Sequence, residues 1–357
     1  MMLTLYVDRN RFTRHLAAVV EANPGIVPVA KGNGYGFGIA SLASLATGLG
    51  CDLLAVGTYD ELENARDFDG SLMVLTPWRP FVSFEGDTEL AGLPGHRVIH
   101  TIGRAEDLRD LAARIDRPRV VVEVLTSMLR HGFTAEGLRE AGDLLAGSSA
   151  GDEAVVLEGV AMHLPMGHGS HLSEVERRLT DVIASGLATR RVFVSHLTTD
   201  ELTSLRTRWP DFEFRPRIGT SLWLGAREAL SVKATVLDLH EVERGDVFGY
   251  RGRSAPKHGH IVVVSGGTAH GVGLEAPGAN TSIRDRAAAV ARGGMDAAGF
   301  VRSPFTIAGK HRLFAEPPHM QASMLFVPAG VTLPAIGDEV DVRVRFTATT
   351  FDRISFL

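Results

Sequence analysis

Lys31 closes an apolar run, Gly25-Ile-Val-Pro-Val-Ala-Lys31, and opens directly into Gly32-Asn-Gly-Tyr-Gly-Phe-Gly38. A short β-branched run reads as a buried strand, and in α/β proteins the residue at a strand's C-terminal end points into the crevice where ligands sit. An amine held there loses water, titrates low and becomes nucleophilic. The glycines let backbone approach a ligand closely, and Tyr35 places a phenol beside them. On this segment alone a covalent lysine and a phosphate-binding or merely structural lysine both remain open. The glycines do not form a dinucleotide fingerprint, because position 37 is Phe where the last glycine belongs.

Other reactive side chains fall at the same end of strand-like runs. Arg130 follows one run in Thr126-Ser-Met-Leu-Arg130-His-Gly132, His163 and His196 close two more, and Arg217-Ile-Gly219-Thr220 ends another. Taken singly, an arginine after a strand is more often a surface ion pair, and a histidine in an apolar strand a hydrogen-bonded core residue. Their recurrence at five strand ends argues for one shared site. The runs are 25–31, 53–57, 72–76, 97–102, 119–125, 156–164, 191–197 and 212–219, separated by amphipathic patterns such as that over 105–115. Eight strands in a β/α rhythm predict a (β/α)8 TIM barrel over residues 1–225, with a doubly wound sheet as the alternative, and such barrels carry their sites at strand C-termini. From 226 to 357 the pattern changes to a mainly-β domain, with strands expected over 232–237, 260–265 and 339–346. The Gly/Ala-rich stretch 287–299 reads as a short helix or a mobile loop.

Composition narrows the class. At 357 residues, 45% hydrophobic and 22% charged, the chain can bury a large core and a second domain. A formal net charge of −5 with interspersed signs gives no basic stripe, so nucleic acid is not an expected partner. No apolar run is long enough to span a bilayer, the N-terminus lacks signal-peptide regions, and a cytoplasmic protein is expected. The single cysteine, Cys51, excludes an internal disulfide and multi-cysteine zinc cages. His163, His168 and His171 invite comparison with a metal site, but no metal is expected.

Five motifs in order resemble the alanine racemase family, the fold-type III enzymes of pyridoxal 5'-phosphate. They are Val29-Ala-Lys31-Gly-Asn-Gly-Tyr35-Gly-Phe-Gly38, Thr126-x-Met128-x-Arg130-x-Gly132, Gly159-Val-Ala-Met-His163, Arg217-x-Gly219-x-x-x-Trp223-x-Gly225, and Gly309-Lys310 followed by Met320. The resemblance implies that Lys31 holds the cofactor covalently and, once displaced by substrate, exchanges a proton on one face of Cα. It places Tyr35, Gly219 and Thr220 at the phosphate, joined by a hydroxyl from Thr198 or Thr199. It sets His163 against the pyridine ring with His196 nearby. Arg130 is placed on the phenolic oxygen or the substrate carboxylate, and Met320 at the substrate. Arg217 would face the ring nitrogen; because arginine does not surrender its proton, the ring becomes a poorer electron sink, which favours brief proton exchange over decarboxylation or transamination. The family also implies a head-to-tail homodimer with shared active sites and a small amino-acid substrate.

The departures cluster in the second half of the family's site. Where the family carries a tyrosine base for the second face, this chain reads Gly267-Thr268-Ala269-His270-Gly271. A threonine hydroxyl is a very poor base; His270 titrates in a useful range and is the candidate replacement. Phe351 stands for a tyrosine and Gln321 for an aspartate, and Glu123 is placed to prop Arg130. The expected function is therefore amino-acid racemisation or epimerisation. The alternatives are elimination or decarboxylation at the same cofactor, or cofactor binding without turnover.

Overall fold

The computed structural model describes residues 2–81, 89–90, 93–147, 155–167, 169–273 and 301–357. His168 and the 287–299 stretch lie outside the described residues. The chain divides into two compact units, Thr13–Gly225 and Met1–Phe12 with Ala226–Leu357.

The first unit is a parallel barrel. Its strands are Val27–Pro28, Leu53–Val56, Ser71–Val74, Val98–Ile102, Arg119–Val124, Val156–His163, Arg191–Ser195 and Glu213–Ile218. Each pairs in parallel with the next from the second strand to the eighth. The eighth returns to the first through Arg217–Val27 and Ile218–Pro28, and a Val29–Ala55 bridge joins the first to the second, which closes the ring. Trp223 strengthens that closure, its buried indole N–H donating to the Val29 carbonyl at 2.8 Å. Helices Ile39–Gly48, Ala105–Arg114, Ala135–Gly147, Leu172–Ala184 and Thr199–Arg208 alternate with the strands. Leu172–Ala184 shows the reason for helix: Val175, Leu179 and Val182 recur on one buried stripe. The eight predicted strands and the 105–115 helix fall where the chain forms them, with every end within three residues of the expected one.

His100 lies on the fourth strand, 2% exposed, its Nδ1 2.9 Å from the Tyr59 hydroxyl. Burial lowers its pKa to about 4. A histidine so depressed is neutral in the native state while the unfolded chain takes a proton below about pH 6.5, so native stability falls as pH drops from about 6.5 toward 4. The expected loss between pH 7 and 5 is about 2 kcal/mol, read from urea midpoints, and His100→Gln should flatten that slope.

The second unit is antiparallel. Gly259–Ser265, Ala322–Pro328, Lys310–Phe314, Arg302–Ile307, Glu339–Val342 and Leu230–Val242 follow one another, and Leu230–Val242 pairs back onto Gly259–Ser265 to close a six-stranded ring. The 13-residue strand Leu230–Val242 serves both neighbours because a bulge between Val236 and Asp238 bends it. Its N-terminal half also pairs with Leu3–Val7, which carries Arg353–Phe356 in parallel on its other edge. Residues 2–12, expected with the barrel, therefore fold with the β unit, where Leu3, Leu5 and Val7 are fully buried. The expected strand 339–346 stops at Val342, where ladder partners on Lys233–Thr235 and Phe305–Thr306 run out. Among the described residues no helix is long and apolar enough to cross a membrane.

Candidate active site

Alternate side chains of a barrel strand point inward. One inward layer is apolar: Val29, Ala55, Met73, Ile99, Val121, Ala161 and Phe193 pack together, and the guanidinium of Arg215 lies 5.8 Å from the Phe193 ring centroid. Two residues further along the same faces stand Lys31, Gly57, Leu75, Thr101, Glu123, His163, Ser195 and Arg217. The period of the strand thus turns the barrel interior from apolar to polar in one step, at its C-terminal mouth.

Lys31 is open to solvent, yet the surrounding protein removes enough water to lower its amine's pKa. The charges of Arg130 and Arg217 push in the same direction, and Glu61 opposes them. Glu61, not singled out from sequence, anchors the loop: its carboxylate accepts from the backbone N–H of Gly32 at 2.7 Å, Gly57 at 2.6 Å and Thr58 at 3.3 Å. The Thr58-x-x-Glu61 spacing of a capping box was the available signal. Tyr35 sits in the left-handed region at φ 55°, flanked by Gly34 and Gly36, also at positive φ. This twist buries the ring and brings its hydroxyl to Thr220; burial pushes its pKa up to about 12. Gly219 is required there, because a Cβ would lie 2.1 Å from the Tyr35 hydroxyl. Gly219 precedes the short helix Thr220–Leu224.

Arg217 is 6% exposed. Its Nε donates to Ser195 Oγ at 3.1 Å and its Nη1 to Glu123 Oε2 at 3.4 Å. Its Nη2 is buried and has no partner among the described residues. A buried donor left without an acceptor costs about 1–3 kcal/mol, so this N–H is a natural place for a ligand's acceptor. Glu123 was expected on Arg130. It pairs instead with Arg217, because both side chains face the barrel interior while Arg130 lies in the exposed loop after the fifth strand.

His163 and His196 meet edge to face, with ring centroids 5.1 Å apart. Burial, then the charges of Arg217 and Arg130, lower the His163 pKa to about 3, and burial lowers that of His196 too. Both imidazoles are thus biased toward the neutral form. Arg130 is exposed and makes no ion pair among the described residues. Between the two threonines left open, Thr198 is committed: its hydroxyl accepts from the Glu201 N–H and donates to the Glu201 carboxylate, capping the helix that Thr199 begins. Among the described residues, no group of three His, Cys, Asp or Glu side chains could hold a metal ion.

The remaining predicted residues belong to the β unit. Thr268 is exposed, and its hydroxyl donates to the His319 carbonyl at 3.4 Å. His270, the expected second base, is 8% exposed and committed on both nitrogens. Its Nδ1 accepts from the Gly267 N–H at 3.3 Å, and its Nε2 faces Asp352 Oδ1 at 3.1 Å. It ties the 267–271 turn to the C-terminal segment. Met320 is 63% exposed, and Phe351 packs against Phe346.

Comparison with known proteins agrees with this fold. Residues 7–200 match the family model of the alanine racemase N-terminal domain. The chain is 27% identical over 135 residues to the alanine racemase of Campylobacter jejuni, a match spanning 38% of this chain and 37% of that enzyme. It is 26% identical over 273 residues to that of Mycolicibacterium smegmatis, covering 68% and 64%. The solved alanine racemase of Bartonella henselae, with covalently bound pyridoxal phosphate, superposes over the full length of both chains with a TM-score of 0.69 at 16% identity. With the family model matching more than half of its residues, and a barrel and β unit like those of that solved structure, the chain belongs to the alanine racemase family.

Proposed function

We propose that this chain is a pyridoxal-phosphate-dependent isomerase, a racemase or epimerase that exchanges the Cα proton of a small amino acid or a derivative of one. The observation that carries the reading is the buried, unpartnered Nη2 of Arg217, in the same polar layer as Lys31. The residues fit the cofactor: Arg217 Nη2 offers a donor to the ring nitrogen and Lys31 an amine of lowered pKa. Tyr35, Gly219, Thr220 and Thr199 supply donors for the phosphate. When bound, pyridoxal phosphate supplies the electron-withdrawing ring that lets the Cα–H bond ionise. Lys31 takes or returns the proton at one face of Cα. Arg217, always charged, keeps the ring nitrogen unprotonated and so limits side reactions. Arg130 offers a free guanidinium to the substrate carboxylate or the phenolic oxygen. His163, held neutral, and His196 lie beside the ring without adding charge. The active form is a head-to-tail homodimer in which the 268–270 turn and Met320 of one protomer reach the site of the other.

The test is absorption spectroscopy of the purified protein before and after borohydride, then incubation with amino acids in deuterated water. A reducible cofactor band with deuterium entering Cα supports the reading; no band overturns it. Thr268 at the tyrosine's position favours a second reading, altered Cα chemistry or binding without turnover. Keto acid or carbon dioxide release, or a band with no exchange, would identify it. Gly219→Ala is expected to lower cofactor affinity at least about tenfold, because the new methyl group meets the Tyr35 hydroxyl. Titration of cofactor absorbance checks this, and adding Tyr35→Phe should recover part of the loss.

A further inference from the structure

We propose that His319, backed by Glu316, is the second proton-transfer group, serving the face of Cα opposite Lys31; this rests on the racemase reading and on its shared-site dimer, in which the group comes from the partner protomer. His319 Nε2 lies 2.5 Å from Glu316 Oε1, and Glu316 is 2% exposed while the imidazole is about one-third exposed. A buried carboxylate behind a solvent-facing imidazole is the unit that fixes a histidine's ring and tautomer for proton transfer.

The surroundings are built for this pair. Glu316 Oε2 accepts from the Tyr250 N–H at 3.0 Å. A Cβ at Gly249, which has φ +70°, would lie 2.3 Å from that same oxygen, so glycine is needed for the carboxylate to sit there. The Tyr250 ring packs on the imidazole at 4.8 Å. Together with Met320 and Gln321 these residues line a cavity of about 460 Å³, within the range of small-ligand sites. His319 Nδ1 has no hydrogen-bond partner among the described residues.

The pair also lies where the missing base is needed. Thr268 N–H donates to the His319 carbonyl at 2.8 Å and Ala269 N–H to that of Met320 at 3.0 Å, so His319 is held against the turn that carries threonine in place of the tyrosine. His270 has no free nitrogen, and a threonine hydroxyl ionises too reluctantly to serve. In one direction the Cα–H bond breaks, its proton passes to Nδ1 of His319, and the Lys31 ammonium returns a proton to the opposite face. The reverse direction exchanges these roles, and no electrons are gained or lost.

The experiment compares the holoenzyme with His319→Gln and Glu316→Gln, using L- and D-alanine in deuterated water. Both variants should keep the cofactor band and a cooperative melting transition. His319→Gln should lose interconversion by roughly 10²–10³-fold while Lys31-side exchange persists, so that deuterium enters one enantiomer only. Glu316→Gln should slow the same exchange more mildly. Mixing inactive Lys31→Ala and His319→Gln protomers should regain roughly a quarter of wild-type activity, since half of randomly paired dimers hold one intact shared site. Interconversion at the wild-type rate in His319→Gln, equal loss of exchange from both enantiomers, or no recovery on mixing overturns the proposal. If the wild-type protein shows neither band nor exchange, the racemase reading itself fails.

Discussion

On the proposed reading, Lys31→Ala is expected to remove the borohydride-reducible absorbance and to lower Cα exchange by roughly 10⁴-fold or more, because one side chain would carry both the covalent attachment and the proton on one face. The fold should survive, since Lys31 is exposed and makes no ion pair among the described residues. A small amine added in solution should restore some exchange, which a merely structural lysine would not allow. The amine's lowered pKa adds a pH dependence whose sign is fixed: its neutral form predominates above its pKa, so reaction of the free chain with the cofactor aldehyde rises with pH and levels off below the range of an ordinary lysine. Arg130→Ala removes one of the charges that lowers this pKa and should move the profile to higher pH. Glu61→Gln removes the opposing charge and should move it lower. Stopped-flow absorbance at a series of pH values checks all three.

Arg217→Gln is expected to act on stability and on chemistry at once. Arg217 is the cation paired with Glu123, and both side chains are 3% exposed. Removing one partner of a buried pair leaves the other charge uncompensated, a loss of about 3–5 kcal/mol in unfolding free energy. Glu123→Gln in the same chain should recover much of that loss, and the non-additivity measures the coupling. The chemical effect survives this repair. On the proposed reading, in which the guanidinium would face the ring nitrogen, exchange should fall by roughly 10²-fold, and keto acid should appear as a side product as the ring would become a better electron sink. Denaturant unfolding and product analysis of the single and double variants separate the two effects.

Much of the barrel was legible in the chain. The β-branched runs, their spacing and the amphipathic segment over 105–115 are local signals, and local signals survive folding because strand and helix periods are properties of the backbone. The same period places Lys31, Glu123, His163 and Arg217 inward near the C-terminal mouth of the barrel. Lys31, His163 and Arg217 could therefore be proposed together from sequence, and the 219–220 turn with them, whereas Glu123 was placed on Arg130. Glu61 was missed although its capping box with Thr58 is readable, because its bond to the Gly32 N–H joins residues 29 apart, across a helix and a strand.

What the sequence by itself determined is the order of elements, the inward face of each strand and the residue types at each strand end. Only the tertiary structure decided the partners. Glu123 belongs to Arg217, 94 residues away, because barrel register brings the fifth and eighth strands to one level, a relation no local pattern encodes. His270 looked like a free base in a glycine-rich turn until Asp352, 82 residues on, was found to hold it. Leu3–Val7 joined the β unit because its alternating apolar face found its ladder on Leu230–Ala234, more than 200 residues later. Periodicity states which way a side chain points; what it meets there depends on chain closure over long distances, and that closure chose the partners around Arg217 and His270.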